Sequence, residues 1–124
     1  MKKDSDTSLQ EIKEELKDFV EERDWEQFHK PKDVAIALSI EVSEVLEHFR
    51  FKTDEEIAQL LKDQAYKQEL QDEIGDCLGF LADLARVTDI DLATAFHEKM
   101  KKNRLKYPIE QVKGKNHKYT YYQQ

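Results

Sequence analysis

Helix-breaking residues are almost absent from this chain, which has only 3 glycines and 2 prolines among its 124 residues. β-Sandwiches and β-barrels need frequent turns rich in these residues between short strands. No stretch alternates apolar and polar residues over enough positions to predict a strand, whereas apolar residues recur at helical spacing along most of the chain. The sequence therefore predicts an all-α fold, a four-to-five-helix bundle.

Five helices are predicted from the apolar periods and from residues that cap helix ends. Ser8 with Glu11, and Thr53 with Glu56, have the spacing of a capping box, and Asp91 is a favourable N-cap. The predicted helices span residues 8–22, 31–50, a short stretch after 53, 64–87 and 92–107. In this prediction residues 1–107 form one helical domain, and the polar, basic remainder, 108–124, is an irregular arm of the same domain.

The length of 124 residues allows one domain with a hydrophobic core of its own. Cys77 is the only cysteine, so no internal disulfide can form, which fits a reducing compartment. No apolar signal segment follows the opening Met-Lys-Lys-Asp, and no run approaches the roughly 18 apolar residues of a membrane span. These features predict a cytoplasmic protein that does not contact a membrane.

Charge is unevenly distributed along the chain. The formal net charge is −7, but residues 1–98 carry −14 and residues 99–124 carry +7. An acidic body does not suit a protein that binds nucleic acid polymers, whose basic footprint should dominate the charge. The basic end could hold a small polyanion together with metal-binding carboxylates, or it could be a solvated end without a ligand. Charge alone leaves both interpretations open.

Two pairs of acidic residues lie where helix packing would place apolar ones. On a helical wheel of the second predicted helix, Glu41 lies within the apolar stripe and Glu44 lies at its edge. The apolar residues within about 60° of Glu41 are Val34, Ala37, Leu38 and Val45. Glu73 and Asp76 repeat this arrangement in the fourth predicted helix. The stripe around Glu73 consists of Tyr66, Leu70, Cys77, Phe80, Leu81 and Leu84.

Carboxylates in such positions need a partner, because an isolated buried charge costs several kcal/mol or takes up a proton. No lysine or arginine lies on either stripe, so Mg²⁺, or Mn²⁺ in its place, is the favoured partner. The alternative is that the acids lie on partly exposed helix edges and bind nothing. A di-iron site would need two Glu-x-x-His pairs, and this chain has one, Glu26 with His29, in a segment predicted not to be helical.

Other candidate ligand-binding residues are ambiguous when taken alone. Trp25 and Phe28 could stack on a nucleobase or belong to the core. His29 could hydrogen-bond a base or a phosphate, or be an ordinary loop histidine. Lys99 and Arg104 could bind phosphates, or they could simply be favoured by the C-terminal end of a helix dipole. The sequence contains no P-loop motif and no Cys/His cluster typical of zinc sites.

The acidic pairs carry a family resemblance. Glu41-Val42-Ser43-Glu44, followed after 28 residues by Glu73-Ile74-Gly75-Asp76, resembles the E-x-x-E…E-x-x-D signature of the MazG-like all-α nucleoside triphosphate pyrophosphohydrolases. Residues 22–29, ERDWEQFH, resemble the segment before the metal-binding helix in the dCTP pyrophosphatase branch of that family. Four short segments of this chain resemble the C-terminal part of that branch: Lys99-Met100, Asn103-Arg104, Lys106-Tyr107-Pro108 and Lys118-Tyr119-Thr120.

The resemblance implies a Mg²⁺-dependent enzyme that hydrolyses a nucleoside triphosphate to the monophosphate and pyrophosphate. The implied substrate is dCTP or a related pyrimidine dNTP, and the implied role is house-cleaning of the nucleotide pool. The catalytic metal ligands that it implies are Glu41, Glu44, Glu73 and Asp76. The substrate-binding residues that it implies are Trp25, His29, Phe51, Phe80, Lys99, Asn103 and Arg104. Phe51 stands where the branch often has tryptophan, and Phe80 where it often has tyrosine. Family members assemble as dimers or dimers of dimers, and the analogy favours a homotetramer over a dimer.

The mechanism inferred from charge is in-line attack of a metal-activated water on the α-phosphorus, with pyrophosphate as the leaving group. One carboxylate, such as Glu44, could orient or deprotonate that water, although the residues do not decide which of the four does so. The alternative function is a non-catalytic acidic helical module that oligomerises or binds metal. Glu41→Gln separates the two hypotheses, because only the enzyme has a turnover to lose.

Overall fold

Six α-helices account for most of the chain in the computed structural model, which describes residues 1–118, 120 and 121. They are α1 Leu9–Glu22, α2 Pro31–Glu47, α3 Asp54–Leu60, α4 Gln64–Val87, α5 Leu92–Lys106 and α6 Ile109–Val112. Short 3₁₀ turns occur at Asp4–Asp6 and Glu26–Phe28. The described residues contain no strand, so the predicted all-α class is confirmed.

Capping side chains begin the helices where the sequence predicts. The side chains of Ser8, Thr53 and Asp91 each accept a hydrogen bond from the backbone N–H three residues later, at 3.0 to 3.1 Å. Each bond satisfies one of the N–H groups that lack a partner in the first turn of a helix. Pro31 is the first residue of α2, and Lys30 before it is extended, with ψ 153°, as expected of a residue that precedes proline.

Two predicted segments differ from the structure. The second helix ends at Glu47 rather than near Arg50, because the chain turns and Phe51 takes a φ of 63° that cannot continue a helix. The arm predicted to be irregular contains α6, which is too short for an apolar period to reveal it. Positions 119 and 122–124 of that arm lie outside the described residues. The division into a domain, 1–107, and an arm, 108–124, stays a prediction.

The chain forms two compact units, Met1–Ile90 and the part from Asp91 onward. In the first unit α4 is the central helix, and both α1 and α2 pack against it. The Tyr66 hydroxyl of α4 donates a hydrogen bond to the carbonyl oxygen of His48 at the end of α2. Among the described residues, every buried apolar side chain comes from one of these three helices; they are Val20, Val34, Leu70, Ala82 and Ala85. The second unit contains α5 and α6.

Length and apolar character together decide whether a helix can cross a membrane. No helix among the described residues combines the two to the degree that a membrane span needs. The predicted cytoplasmic location stays a prediction.

Candidate active site

Three carboxylates meet where α2 packs against α4. Oxygen atoms of Glu41, Glu73 and Asp76 all lie within 4.8 Å of one another. The i, i+3 spacing of Glu73 and Asp76 places both on one side of α4, and Glu41 lies in the apolar stripe with which α2 packs against that helix. Helix packing therefore brings together acids that are 32 and 35 positions apart in the sequence.

Glu44 is the fourth acid that the sequence singles out, and it lies beside the other three. Its carboxylate interacts with the side chains of both Glu41 and Glu73. It is exposed, whereas Glu41 and Glu73 are half-buried. We call the four side chains the acidic cluster: Glu41 and Glu73 are half-buried, and Glu44 and Asp76 are exposed to solvent.

Burial leaves two oxygens of the acidic cluster without a hydrogen bond. Oε2 of Glu41 and Oε2 of Glu73 are both withdrawn from solvent, and neither has a hydrogen-bond partner among the described residues. Buried polar atoms in native proteins nearly always have a partner. Closely spaced carboxylate oxygens are the ligands that Mg²⁺ and Mn²⁺ prefer. The residues present therefore fit a hard divalent cation.

The acidic cluster resists full ionisation. A hydrogen bond with Glu44, followed by burial and by the charges of the neighbouring acids, raises the pKa of Glu73 to about 7. The pKa of Glu41 is also raised, mainly by burial and then by the charges of Glu44 and Asp76. Both effects disfavour the charged form of a carboxyl group. Protons and cations therefore compete for the same oxygens.

The histidines of the first unit do not complete a di-iron site. His29 contacts Asp83 rather than the acidic cluster, and Glu26 accepts hydrogen bonds from Arg86. Nδ1 of His48 lies 3.1 Å from a backbone carbonyl oxygen. Among the described residues, the group of side chains that could hold a metal contains carboxylates alone. Such a donor set suits Mg²⁺ or Mn²⁺ better than iron held by Glu-x-x-His pairs.

A cavity of about 430 Å³ opens beside the acidic cluster. Its wall is formed by Leu16, Phe19, Val20, Trp25, His29, Gly75, Asp76, Gly79, Phe80 and Asp83. Asp76 belongs both to this wall and to the acidic cluster, so a ligand held by the cluster can extend into the cavity. The volume lies within the range of small-molecule sites, and the wall is mostly apolar, as such sites usually are.

A left-handed residue after α1 positions the aromatic side of the cavity. Asp24 has a φ of 54°, a conformation that Asp tolerates better than most residues. The N–H of Trp25 then donates to the carbonyl of Val20 at 2.9 Å, which closes α1. The Trp25 ring packs edge-to-face against Phe19, with centroids 5.8 Å apart. The structure thus brings the predicted residues Trp25, His29 and Phe80 into one cavity.

Phe51, which was also predicted to bind substrate, does not line this cavity. The Phe51 side chain is 92% exposed, with the Arg50 guanidinium 5.0 Å from its ring centroid. Lys99, Asn103 and Arg104 lie on α5 in the second unit. Their roles in substrate binding stay predictions.

Asp83 is a cavity residue that sequence reasoning missed. It is only 1% exposed, and its carboxylate contacts His29 and Arg86. It follows Asp76 by seven residues and so occupies nearly the same angular position on α4, a signal that could have found it. A Cβ at Gly79 of α4 would lie 3.8 Å from the Leu16 side chain of α1, which is an ordinary van der Waals distance.

Comparison with known proteins gives consistent matches. The MazG-like family matches residues 36–121. dCTP pyrophosphatase 1 of Bos taurus is 39% identical over 116 residues, which are 94% of this chain and 69% of that protein. The Homo sapiens protein of the same name is 38% identical over 113 residues, 91% of this chain and 66% of that protein. The chain therefore spans about two thirds of the length of these relatives.

A solved structure has the same fold. The crystal structure of a pyrophosphatase from Archaeoglobus fulgidus DSM 4304 matches with a TM-score of 0.75 and 37% identity, over 81% of this chain and 92% of that one. The family match covers more than half of the chain and includes all four residues of the acidic cluster. This protein belongs to the MazG-like family.

Proposed function

We propose that this protein is a divalent-metal-dependent nucleoside triphosphate pyrophosphohydrolase. It converts dCTP, or a related pyrimidine deoxynucleotide, to the monophosphate and pyrophosphate. The observation that carries the proposal is a pair of buried, unpartnered carboxylate oxygens in a cluster that adjoins an aromatic cavity through Asp76. Membership of the MazG-like family supports it, and the relatives named dCTP pyrophosphatase 1 and pyrophosphatase point to the same reaction.

The acidic cluster needs a cation before it can receive a triphosphate. Glu41, Glu73 and Asp76 would hold Mg²⁺, and Mn²⁺ is expected to substitute because it also takes oxygen ligands. When bound, the cation supplies positive charge that neutralises phosphate oxygens and favours deprotonation of water. Without it, four carboxylates repel an anionic substrate.

Glu44 is the residue that we propose as the general base. It is exposed and lies outside the trio of closely spaced carboxylates, so its oxygens are the least committed to a cation. A carboxylate in that position can accept a proton from the water that attacks the α-phosphorus. The bond from the α-phosphorus to the bridging oxygen breaks in the same step, and pyrophosphate leaves with that electron pair.

The cavity beside the acidic cluster is the proposed site of the nucleobase. The rings of Trp25 and Phe80 line it, and flat aromatic side chains stack on bases. Lys99, Asn103 and Arg104 of α5 are proposed to bind the phosphates, in which case the positive charges of Lys99 and Arg104 stabilise the leaving pyrophosphate. That assignment rests on the family resemblance of these residues.

Exposed apolar side chains on α2 and α4 support self-association. Ile36, Ile40, Val42 and Leu46 are each between 51% and 57% exposed. On α4, Ile74, Leu78 and Leu81 are between 42% and 53% exposed. A helix that is apolar on several sides is typical of a buried element, and clustered apolar surface marks an interface. These surfaces support self-association, and the family resemblance favours a homotetramer, in which the exposed Phe51 could reach a neighbouring site.

Turnover of dCTP by matched glutamine variants tests the role of the acidic cluster. Glu41→Gln preserves side-chain shape but removes one charge, so we expect kcat to fall by at least about 100-fold. The control is Glu47→Gln on the same helix, which removes only an exposed ion pair with Arg50 at 3.1 Å and should leave turnover nearly unchanged. Wild-type turnover by folded Glu41→Gln would contradict the metal site.

Hydrolysis across a panel of nucleotides tests the reaction itself. We expect dCTP to be cleaved in the presence of Mg²⁺ and not in the presence of a chelator. If the folded, metal-loaded protein cleaved no nucleotide, the enzyme proposal would fail. A non-catalytic acidic module would then describe the protein better.

A further inference from the structure

A buried carboxylate in the cavity wall has no part in the reaction proposed above. Asp83 is 1% exposed, and its Oδ2 lies 2.6 Å from Nδ1 of His29. The His29 side chain retains 19% of its exposure and lines the cavity. Burying a charged group is costly unless it is well paired. The position of Asp83 therefore indicates that it acts on His29.

Arg86 determines how Asp83 meets His29. Nε of Arg86 donates to Oδ1 of Asp83 at 2.8 Å, and Nη1 donates to Oε1 of Glu26 at 3.0 Å. Since a guanidinium can only donate, Oδ1 is engaged and Oδ2 is left to face the imidazole. An ionised carboxylate can only accept, so the hydrogen of the bond to His29 belongs to Nδ1. In the neutral ring, Nε2 is then a hydrogen-bond acceptor.

His29 is the one side chain of the cavity wall that can offer an uncommitted acceptor to a base. The polar side chains in the wall are those of Trp25, His29, Asp76 and Asp83. Asp76 belongs to the acidic cluster, Asp83 is paired on both oxygens, and the indole N–H of Trp25 can only donate. Recognition of a donor group on a base therefore falls to Nε2 of His29.

We propose that Asp83 is a positioning residue, held by Arg86 and Glu26, that keeps Nε2 of His29 an acceptor and thereby selects a pyrimidine with an exocyclic amino group. The inference rests on the proposed function, because it places the base in this cavity. Cytosine presents an amino donor where uracil and thymine present a carbonyl oxygen. An oxygen opposite Nε2 would set two acceptors against each other and leave both unsatisfied.

Asp83→Asn should exchange the donor and acceptor nitrogens of the His29 ring, while the side chain at position 83 keeps nearly the same shape. Arg86 can still only donate, so the amide oxygen of the variant stays toward Arg86 and its NH₂ group faces Nδ1 of His29. Nδ1 must then accept, and the ring hydrogen moves to Nε2. His29 becomes a donor toward the cavity, which favours the carbonyl oxygen of uracil over the amino group of cytosine.

The ratio of kcat/KM for dCTP to that for dUTP tests this assignment. We expect the wild type to prefer dCTP and Asp83→Asn to lower the ratio by at least about tenfold. The control, Asp18→Asn, makes the same chemical change at an exposed position of α1 and should leave the ratio unchanged. Equal use of both nucleotides by the wild type would overturn the proposal. So would an equal loss for both nucleotides in Asp83→Asn, which would indicate a merely structural role.

Nuclear magnetic resonance tests the tautomer without any turnover. In the neutral ring, ¹⁵N shifts of His29 should place the hydrogen on Nδ1 in the wild type and on Nε2 in Asp83→Asn. A wild-type ring protonated at Nε2 overturns the proposal. If Asp83→Asn does not fold, His29→Ala replaces it in the kinetic test. An unchanged ratio of kcat/KM for dCTP to that for dUTP in His29→Ala would then overturn the proposal.

Equilibrium binding of dCMP and dUMP tests the role of Asp83 separately from the proposed function. A protein that cleaves no nucleotide but binds dCMP more tightly than dUMP, with the expected tautomer, contradicts the proposed function and supports the role of Asp83. A protein that cleaves dCTP but binds both monophosphates equally contradicts the role of Asp83 and leaves the proposed function intact.

Discussion

Metal binding should depend steeply on pH because of Glu73. A hydrogen bond with Glu44, and then burial, raises the pKa of this residue to about 7. A cation can use both oxygens of Glu73 only after the proton has left. For one competing proton the apparent dissociation constant rises tenfold for each pH unit below the pKa. We therefore expect Mg²⁺ to bind roughly 100-fold more weakly at about pH 5 than at about pH 9.

Isothermal titration calorimetry in buffers of different ionisation enthalpy measures both the affinity and the protons released. We expect the release from Glu73 to be about half a proton per ion at pH 7 and nearly one at about pH 5.5. Glu73→Gln should bind the cation weakly and release fewer protons. Glu69→Gln, at an exposed position of the same helix, should behave as the wild type. An affinity that does not change with pH, or equal proton release by the wild type and Glu73→Gln, would refute the reasoning.

The same pKa determines how the stability of the metal-free protein varies with pH. Glu73 titrates near 7 in the folded chain, above its ordinary value of 4.5, so between these values the folded state binds more protons than the unfolded state. Its stabilising contribution is therefore present below about pH 4.5 and is lost as the pH rises through about 7. The metal-free protein should melt at a lower temperature at pH 8 than at pH 5.5, and Glu73→Gln should reduce this difference.

Added Mg²⁺ should reverse that loss at pH 8, since a ligand at a hundredfold excess over its dissociation constant stabilises a folded protein by about 2.7 kcal/mol. Differential scanning calorimetry measures both effects. A metal-free protein that becomes more stable between pH 5.5 and pH 8 would contradict the repulsion inferred for the acidic cluster.

Two further predictions concern the cavity and the exposed helix faces. Apart from its chain neighbours and the backbone of its own helix, no atom of the described residues lies within 4 Å of the position that a Cβ at Gly75 would take. Gly75→Ala should therefore raise the free energy of unfolding by roughly 0.5–1 kcal/mol through helix propensity. Urea denaturation measures this, and a loss of stability would contradict the open space. Ile40 is 52% exposed on α2, so Ile40→Glu should reduce the molar mass measured by light scattering. A monomeric wild type would contradict the proposed tetramer.

Local patterns account for what the sequence predicts well. The caps at Ser8, Thr53 and Asp91 each involve a backbone N–H only three residues away, so their spacing is readable in the sequence. The meeting of Glu41 with Glu73 is also predictable, because both lie inside apolar stripes that must pack against something. An acid that lies inside an apolar stripe is therefore predicted to lie at the contact between two helices.

The parts that the sequence does not predict depend on contacts between distant residues. His29 reaches Asp83 across 54 positions, and Glu26 reaches Arg86 across 60. Both contacts depend on the left-handed turn at Asp24 that ends α1. A helical wheel describes one helix at a time, so it reveals the angular position of Asp83 but not the loop that meets it.

The central claim is that water attacks the α-phosphorus of a nucleoside triphosphate beside the metal-loaded acidic cluster. Hydrolysis of dCTP in H₂¹⁸O, with Mg²⁺ or with chelator, tests it most directly when the products are analysed by mass spectrometry. We expect equal amounts of dCMP and pyrophosphate, formed only with metal, with the ¹⁸O in dCMP. Formation of dCDP and orthophosphate, ¹⁸O in pyrophosphate, or no hydrolysis by the folded, metal-loaded protein would contradict it.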